Sequence, residues 1–198
     1  MKTREKIIER YVLNKTALDI GCVSNQKKGH FQFGRLHEFL RKKCSSVKGL
    51  DINRKGVEQL RRNGYDIIFG NAETFNIPEK FDVIVAGEII EHLENQGAFL
   101  RTAWRHLKKE GKIIITTPNS FALRTFLRNV LGVLEVNKEH TLWHDKNTLT
   151  RLVERCGFKV EKIAFTFDDT YKLKSKIEQL LCFKKSLRPQ MVMIARKK

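Results

Sequence analysis

A chain of 198 residues with 41% hydrophobic content can fill one sizeable core and not comfortably two, so a single domain over residues 1–198 is expected. No apolar run approaches the roughly 18 residues that a membrane-spanning helix needs, and the opening MKTREKIIERYVLNK lacks the apolar core and cleavage site of a secretory leader; a soluble, cytoplasmic chain without a transmembrane segment is the expectation. Thirty-nine Lys and Arg against 22 Asp and Glu leave a net charge of +17, which admits an anionic partner such as RNA, although the basic residues are scattered in short runs rather than gathered into one motif.

In chain order, apolar runs of strand length recur between segments of helical period. The strands read as TALDI (16–20), SVKGLDI (46–52), YDIIFG (65–70), FDVIVAG (81–87), KIIITT (112–117), FKVEKIAFTF (158–167) and QMVMIARK (190–197). Helices are expected at about 31–43, 54–63, 94–109 and 146–156, the last stopped at Cys156-Gly157. This alternation predicts an α/β domain with a mostly parallel sheet. Cys22, Cys44, Cys156 and Cys182 lie far apart with no CxxC pair and are read as reduced thiols.

Two segments interrupt the alternation. Residues 119–146 are too long for a plain connection and are expected to form a lid or acceptor segment, containing FALRTFLRNVLGVL, whose apolar stripe suits a core-facing or lid helix or, alternatively, a membrane surface. Residues 168–188 separate the last two strands. In open α/β sheets ligands bind at the carboxyl ends of the strands, and those ends carry Asp19-Ile20-Gly21-Cys22, Asp51, Asn71-Ala72 and AGEIIEHL with Glu88, Glu91 and His92. Gly21 permits close backbone approach, Asp19 suits an amino group, and Asp51 stands where an acid binds paired ribose hydroxyls.

Taken together, ALDIGC, GLDI, GNAETFNI, FDVIVAGEIIEHL and LKKEGKIIITTPN resemble the class I S-adenosylmethionine-dependent methyltransferases, nearest the small-molecule and glycan branch that includes the ubiquinone-pathway O-methyltransferases. The likeness is close over residues 16 to about 119 and looser through HTLWHDKNTLTRLVERCGFKVEKI. It implies a doubly wound, mostly parallel seven-stranded sheet with an antiparallel last strand. It also implies S-adenosylmethionine as cofactor, with Asp19, Gly21 and Cys22 at its methionine part, Asp51 and Ile52 at the ribose, Asn71, Ala72 and Glu73 at the adenine, and Ala86, Gly87 and Glu88 where the fourth strand meets the methionine end. A nicotinamide dehydrogenase would need G-x-G-x-x-G, whereas positions 21, 23 and 26 are Gly, Val and Gln; the Val23 side chain is expected to crowd a pyrophosphate. The path of residues 23–30, and any contact of Lys27, Lys28 or His30 with the acceptor, stays open.

The activity implied is O-methylation of a small-molecule or glycan acceptor, with RNA 2′-O-methylation or a non-catalytic cofactor-binding subunit as alternatives. Glu88-x-x-Glu91-His92, expected at a helix start, has three readings: packed polar residues, a base with catalytic Glu91, His92 and His144, or a divalent metal ion held by Glu88, Glu91, His92 and one of His140 or His144, the last resembling metal-dependent 2′-O-methyltransferases of small RNAs. Trp143 is expected to stack on an acceptor ring or to fill the core.

Overall fold

The computed structural model describes residues 4–25, 31–133, 135–167 and 183–198. In chain order the elements are α1 (Arg4–Val12), β1 (Thr16–Ile20), β2 (Val23–Asn25), β3 (Phe31–Phe33), α2 (Arg35–Lys43), β4 (Ser46–Asp51), α3 (Arg54–Arg62), β5 (Ile67–Phe69) and β6 (Phe81–Gly87). A 3-10 turn (Ile90–His92) follows, then α4 (Gln96–His106), β7 (Leu107–Pro118), α5 (Leu123–Val130), α6 (Lys146–Arg155), β8 (Phe158–Thr166), a second 3-10 turn (Lys185–Leu187) and β9 (Gln190–Lys197).

The main sheet has seven strands in the order β5-β4-β1-β6-β7-β9-β8. Pairs from β5 to β7 are parallel, and β9 runs antiparallel to both β7 and β8. This is the mixed, mostly parallel sheet that the sequence pattern and the resemblance lead one to expect. Central strands must be apolar on both faces, and β6 shows how: Val83 and Val85 join a core with Ile7, Ile8 and Val12 of α1 and Leu36 and Leu40 of α2, whereas Ile84 and Ala86 join one with Phe99 and Leu100 of α4 and Leu149 and Val153 of α6. Strand alternation therefore assigns the helices to two layers. The chain leaves β1 for β4 on one side and returns to β6 on the other, so a crevice opens at the carboxyl ends of β1, β4 and β6.

Side-chain caps set three helix starts. Asn53 accepts from the Gly56 amide at 3.0 Å, Asn95 from the Ala98 amide at 2.9 Å, and Asp145 from the Asn147 and Thr148 amides. The stop at Cys156-Gly157 is present, with Gly157 at φ +92.

Four expectations change. The helix expected from 31 starts at Arg35, because residues 31–33 form β3, which pairs with β2 in an antiparallel hairpin. The Val23 side chain packs on α3, where a Cβ on Gly56 would lie 2.6 Å from Val23 Cγ1, so it does not crowd the crevice; the backbone, whose path the sequence left open, enters the β2–β3 hairpin. The fifth strand begins at Leu107 rather than 112, shortening α4 to end at His106, with Glu110 at φ +62 in the polar LKKEG stretch. Finally, no residue of α5 is buried, so its apolar stripe does not face the core. Lys27, Lys28, His30, Leu134, Cys182 and residues 168–182 lie outside the described residues.

Candidate active site

The crevice divides into two cavities that meet at Gly21. The first is lined by Ile20, Gly21, Leu50, Asp51, Ile52, Gly70, Asn71, Ala72, Ile89 and Leu93. Gly21 stands at φ +75, a conformation glycine adopts freely, and a Cβ there would come within 3.1 Å of Ile89 Cδ1. At the end of β4, Asp51 accepts from the Val23 amide and the Asn53 amide, one at each carboxylate oxygen and both at 2.8 Å. Each oxygen keeps a lone pair for a further donor. Asn71 Oδ1 accepts from the Glu73 amide at 2.8 Å, which leaves it one lone pair, and its Nδ2 edge, for a base. Ile52, Ala72, Ile89 and Leu93 make the walls apolar. An aromatic base between apolar walls with an acid at the sugar edge is what this slot suits.

The second cavity is lined by Arg4, Asp19, Gly21, Cys22, Gly34, Arg35, Leu36, His37 and Gly87. Asp19 is buried and receives His37 Nδ1 at 3.0 Å, and the imidazole lies flat on Phe33, centroids 3.7 Å apart. Burial holds the Asp19 carboxyl above the usual carboxylate range, and the His37 hydrogen bond works against that rise. Arg4 Nε is buried without a hydrogen-bond partner. An arginine and a carboxylate across one cavity complement an amino acid zwitterion. Gly87 packs closely here: a Cβ would fall 2.4 Å from the Leu36 Cδ2 methyl, which would have to shift. The Cys22 thiol is pushed far up by burial and by Asp19 and Asp51, which leaves it an unreactive wall.

Beyond β6 the backbone turns sharply. Glu88 sits at φ +55, a left-handed conformation that costs a non-glycine residue about 1 kcal/mol or more and that collects at functional sites. The following residues form a 3-10 turn rather than the expected helix start, and this turn sorts its side chains. Ile89 and Leu93 face the first cavity, while Glu91 and His92 meet His140 from the insert. One carboxylate oxygen of Glu91 and one ring nitrogen of each histidine lie within 4.8 Å of one another. The two imidazoles meet edge to face, centroids 4.7 Å apart. The insert is strapped down beside them: the Thr141 amide and hydroxyl both donate to the Glu91 carbonyl, at 2.8 and 3.0 Å, and that hydroxyl also reaches the Leu93 carbonyl.

Burial, reinforced by the Glu88 charge, pushes the Glu91 carboxyl up to about 8. Its Oε2 accepts from the Thr117 hydroxyl at 3.0 Å, and its Oε1 is buried with no hydrogen-bond partner. His140 is held below the usual histidine value by burial and by His92. His144 lies outside this group: it is buried, and its Nε2 sits 3.1 Å from Gln96 Nε2, so that nitrogen accepts and the ring is neutral. Glu88 is also outside, its Oε1 accepting from Gln190 Nε2 at 3.1 Å. Glu73 caps the start of α4 by accepting from the Asn95 amide, and Ala86 is fully buried in β6; neither lines the crevice.

Beside His140 the insert lines an open cavity of about 300 Å³, with Asn119, Arg124, Arg128, Asn137 and Trp143 among its walls. Sequence reasoning did not single out Arg4, His37, Ile89 or Leu93. The i, i+4 spacing of Ile89 and Leu93 around Glu91-His92 was the one signal available for the last pair.

Comparison with known proteins bears on the family and the fold. A family model for the methyltransferase domain, Methyltransf_23, matches residues 4–163. Among curated relatives, a probable S-adenosylmethionine-dependent methyltransferase of Mycolicibacterium smegmatis is 32% identical over 118 residues, covering 58% of this chain and 44% of its own. The mitochondrial ubiquinone biosynthesis O-methyltransferase of Rattus norvegicus is 30% identical over 168 residues, covering 74% and 45%. The chain thus spans less than half the length of these relatives. A methyltransferase structure from Archaeoglobus fulgidus superposes with a TM-score of 0.67 at 19% identity, over 98% of this chain and 92% of that one. The N-methyltransferase NodS of Bradyrhizobium japonicum, in complex with S-adenosyl-L-homocysteine, does so at 0.59 and 12%, over 99% and 89%. At such identities these two likenesses bear on the fold.

Proposed function

We propose that this chain, which belongs to the S-adenosylmethionine-dependent methyltransferase family Methyltransf_23, transfers a methyl group to a hydroxyl oxygen of a small-molecule or saccharide-type acceptor seated under the 119–146 insert. S-adenosylmethionine supplies an electrophilic methyl group on a sulfonium, and in-line displacement leaves the protein mainly to align the partners and to accept a proton. Asp51 would hold the ribose hydroxyls, the slot of Ile52, Ala72, Ile89 and Leu93 the base, and Arg4 and Asp19 the carboxylate and ammonium ends. The turn Ile90–His92 is flanked by Ile89 and Leu93, which line the first cavity, and its Glu91 and His92 meet His140, which lines the insert cavity; the acceptor oxygen would sit beside these three side chains.

The observation that carries the reading is the meeting of Glu91, His92 and His140 under the insert. A neutral imidazole is a competent proton acceptor, and burial together with His92 lowers the His140 pKa, which favours that form. The same set, one carboxylate with an unpartnered buried oxygen and two imidazoles, suits a divalent cation, which would bind the acceptor oxygen and lower its pKa. The test is transfer of labelled methyl to a catechol and to simple saccharides, with S-adenosylhomocysteine binding followed in parallel by calorimetry. His140→Ala together with His92→Ala should slow transfer by about 10²-fold or more with product binding unchanged. Undiminished transfer in that variant would sink the role of the histidines, and loss of activity with a chelator would select the cation. Intact product binding without transfer to either acceptor class would favour a non-catalytic subunit. The net charge of +17 favours a second reading, 2′-O-methylation of an RNA end, which requires RNA binding that weakens steeply with salt.

A further inference from the structure

We propose that the insert, together with residues 183–185, seats this protein on the surface of an anionic lipid bilayer. Exposed large apolar side chains gather here among the described residues: Phe121, Phe126, Leu127, Val130, Leu131 and Trp143. Leu131 is 72% and Phe121 67% exposed. In α5, Leu123, Phe126, Leu127 and Val130 recur at i, i+3, i+4 and i+7, so they form one stripe, and not one is buried. Soluble surfaces scatter single apolar residues; a contiguous stripe with flanking aromatics marks a contact.

Charge decides the occupant. Arg124 and Arg128 border the stripe on α5, and exposed Lys184 and Lys185 adjoin Phe183 and Leu187, the latter lining a cavity of about 440 Å³ with Phe121, Phe126 and Trp143. Among the described residues, the acids paired here are Glu135, 3.7 Å from Arg128, and Glu139, 4.0 Å from His92. A second copy packed two-fold on this patch would bring the same basic flanks face to face. An RNA backbone would meet the cations and leave the leucines in water. A bilayer with anionic headgroups accepts both: apolar side chains at the acyl boundary, cations at the phosphates, and Trp143 at the interface, where tryptophan is favoured. No helix among the described residues is long and apolar enough to cross a membrane, so the contact is peripheral. It would place the insert cavity, and with it His140, at the lipid surface.

The experiment is flotation of the full chain with vesicles of phosphatidylcholine alone and of phosphatidylcholine with phosphatidylglycerol, with tryptophan emission recorded alongside. Binding to the anionic vesicles and a blue shift are expected, and the pair Leu127→Asp, Leu131→Asp should weaken binding by about tenfold or more. These positions are exposed, so melting temperature and S-adenosylhomocysteine affinity should hold. The proposal is overturned if the protein ignores both vesicle types. It is equally overturned if the Asp variant floats as well as the parent, which would mean charge adsorption alone, or if the substitutions instead dissolve a dimer.

Discussion

Gly21 lines both halves of the crevice, and its backbone conformation at φ +75 favours glycine there. Gly21→Ala should cost about 1–2 kcal/mol of stability, since φ +75 strains any Cβ and this one would press on Ile89. Because Ile89 walls the first cavity, the same variant should bind S-adenosylhomocysteine several-fold more weakly by calorimetry; unchanged affinity would remove the wall from the argument. His144 gives a second prediction at this scale. Burial holds its folded-state pKa below the 6.5 of a free imidazole, so the unfolded chain takes up its proton first as pH falls. The contribution is intact above 6.5 and is lost as pH drops through the folded value. His144→Asn should therefore flatten the fall in urea midpoint as pH drops below 6.5, and parallel curves for parent and variant would contradict it.

Among the elements, those buried on two faces were legible and those defined by their neighbours were not. TALDI and FDVIVAG read as strands because both faces must be apolar in a central parallel strand. The β2–β3 hairpin was illegible: each strand has three residues, and what seats it is Gly56 on α3, some 30 residues away in sequence, which leaves room for Val23. LKKEG read as a helix end because its residues are polar, yet it extends β7 as a ladder reaching Leu107 opposite Phe81. Helix starts were set by short polar caps, and removing one has a known cost. Asn95→Ala and Asp145→Ala should each destabilise by about 1 kcal/mol in chemical denaturation, with no change if the side-chain bonds at 2.9 and 2.7 Å are not formed. For α5 the sequence period identified an apolar face and not its partner. With none of its residues buried, α5 amides should exchange early while those of β6 and β7 persist to global unfolding, a contrast that hydrogen exchange would reveal or deny.

For the whole molecule, donor binding and folding are linked, because the crevice is built from the ends of four strands and from α1 and α2. S-adenosylhomocysteine at about 100 times its dissociation constant should raise stability by about 2.7 kcal/mol, read as an upward shift in melting temperature; an unmoved transition would argue against the crevice as the donor site. The amino acid sequence by itself determined the α/β class, the seven strands of the main sheet and the acids and glycines at their ends, because burial, period and backbone sterics act over a few residues. Only the tertiary structure decided which polar groups meet. Glu91 and His92 are separated from His140 by nearly 50 residues, and they come together because Thr141 ties the insert to the Glu91 carbonyl, a long-range bond that no local pattern encodes. The same fold-back drew His144 away into Gln96 and left the α5 stripe facing out, since a period specifies an amphipathic face and only the packed neighbours specify what that face touches.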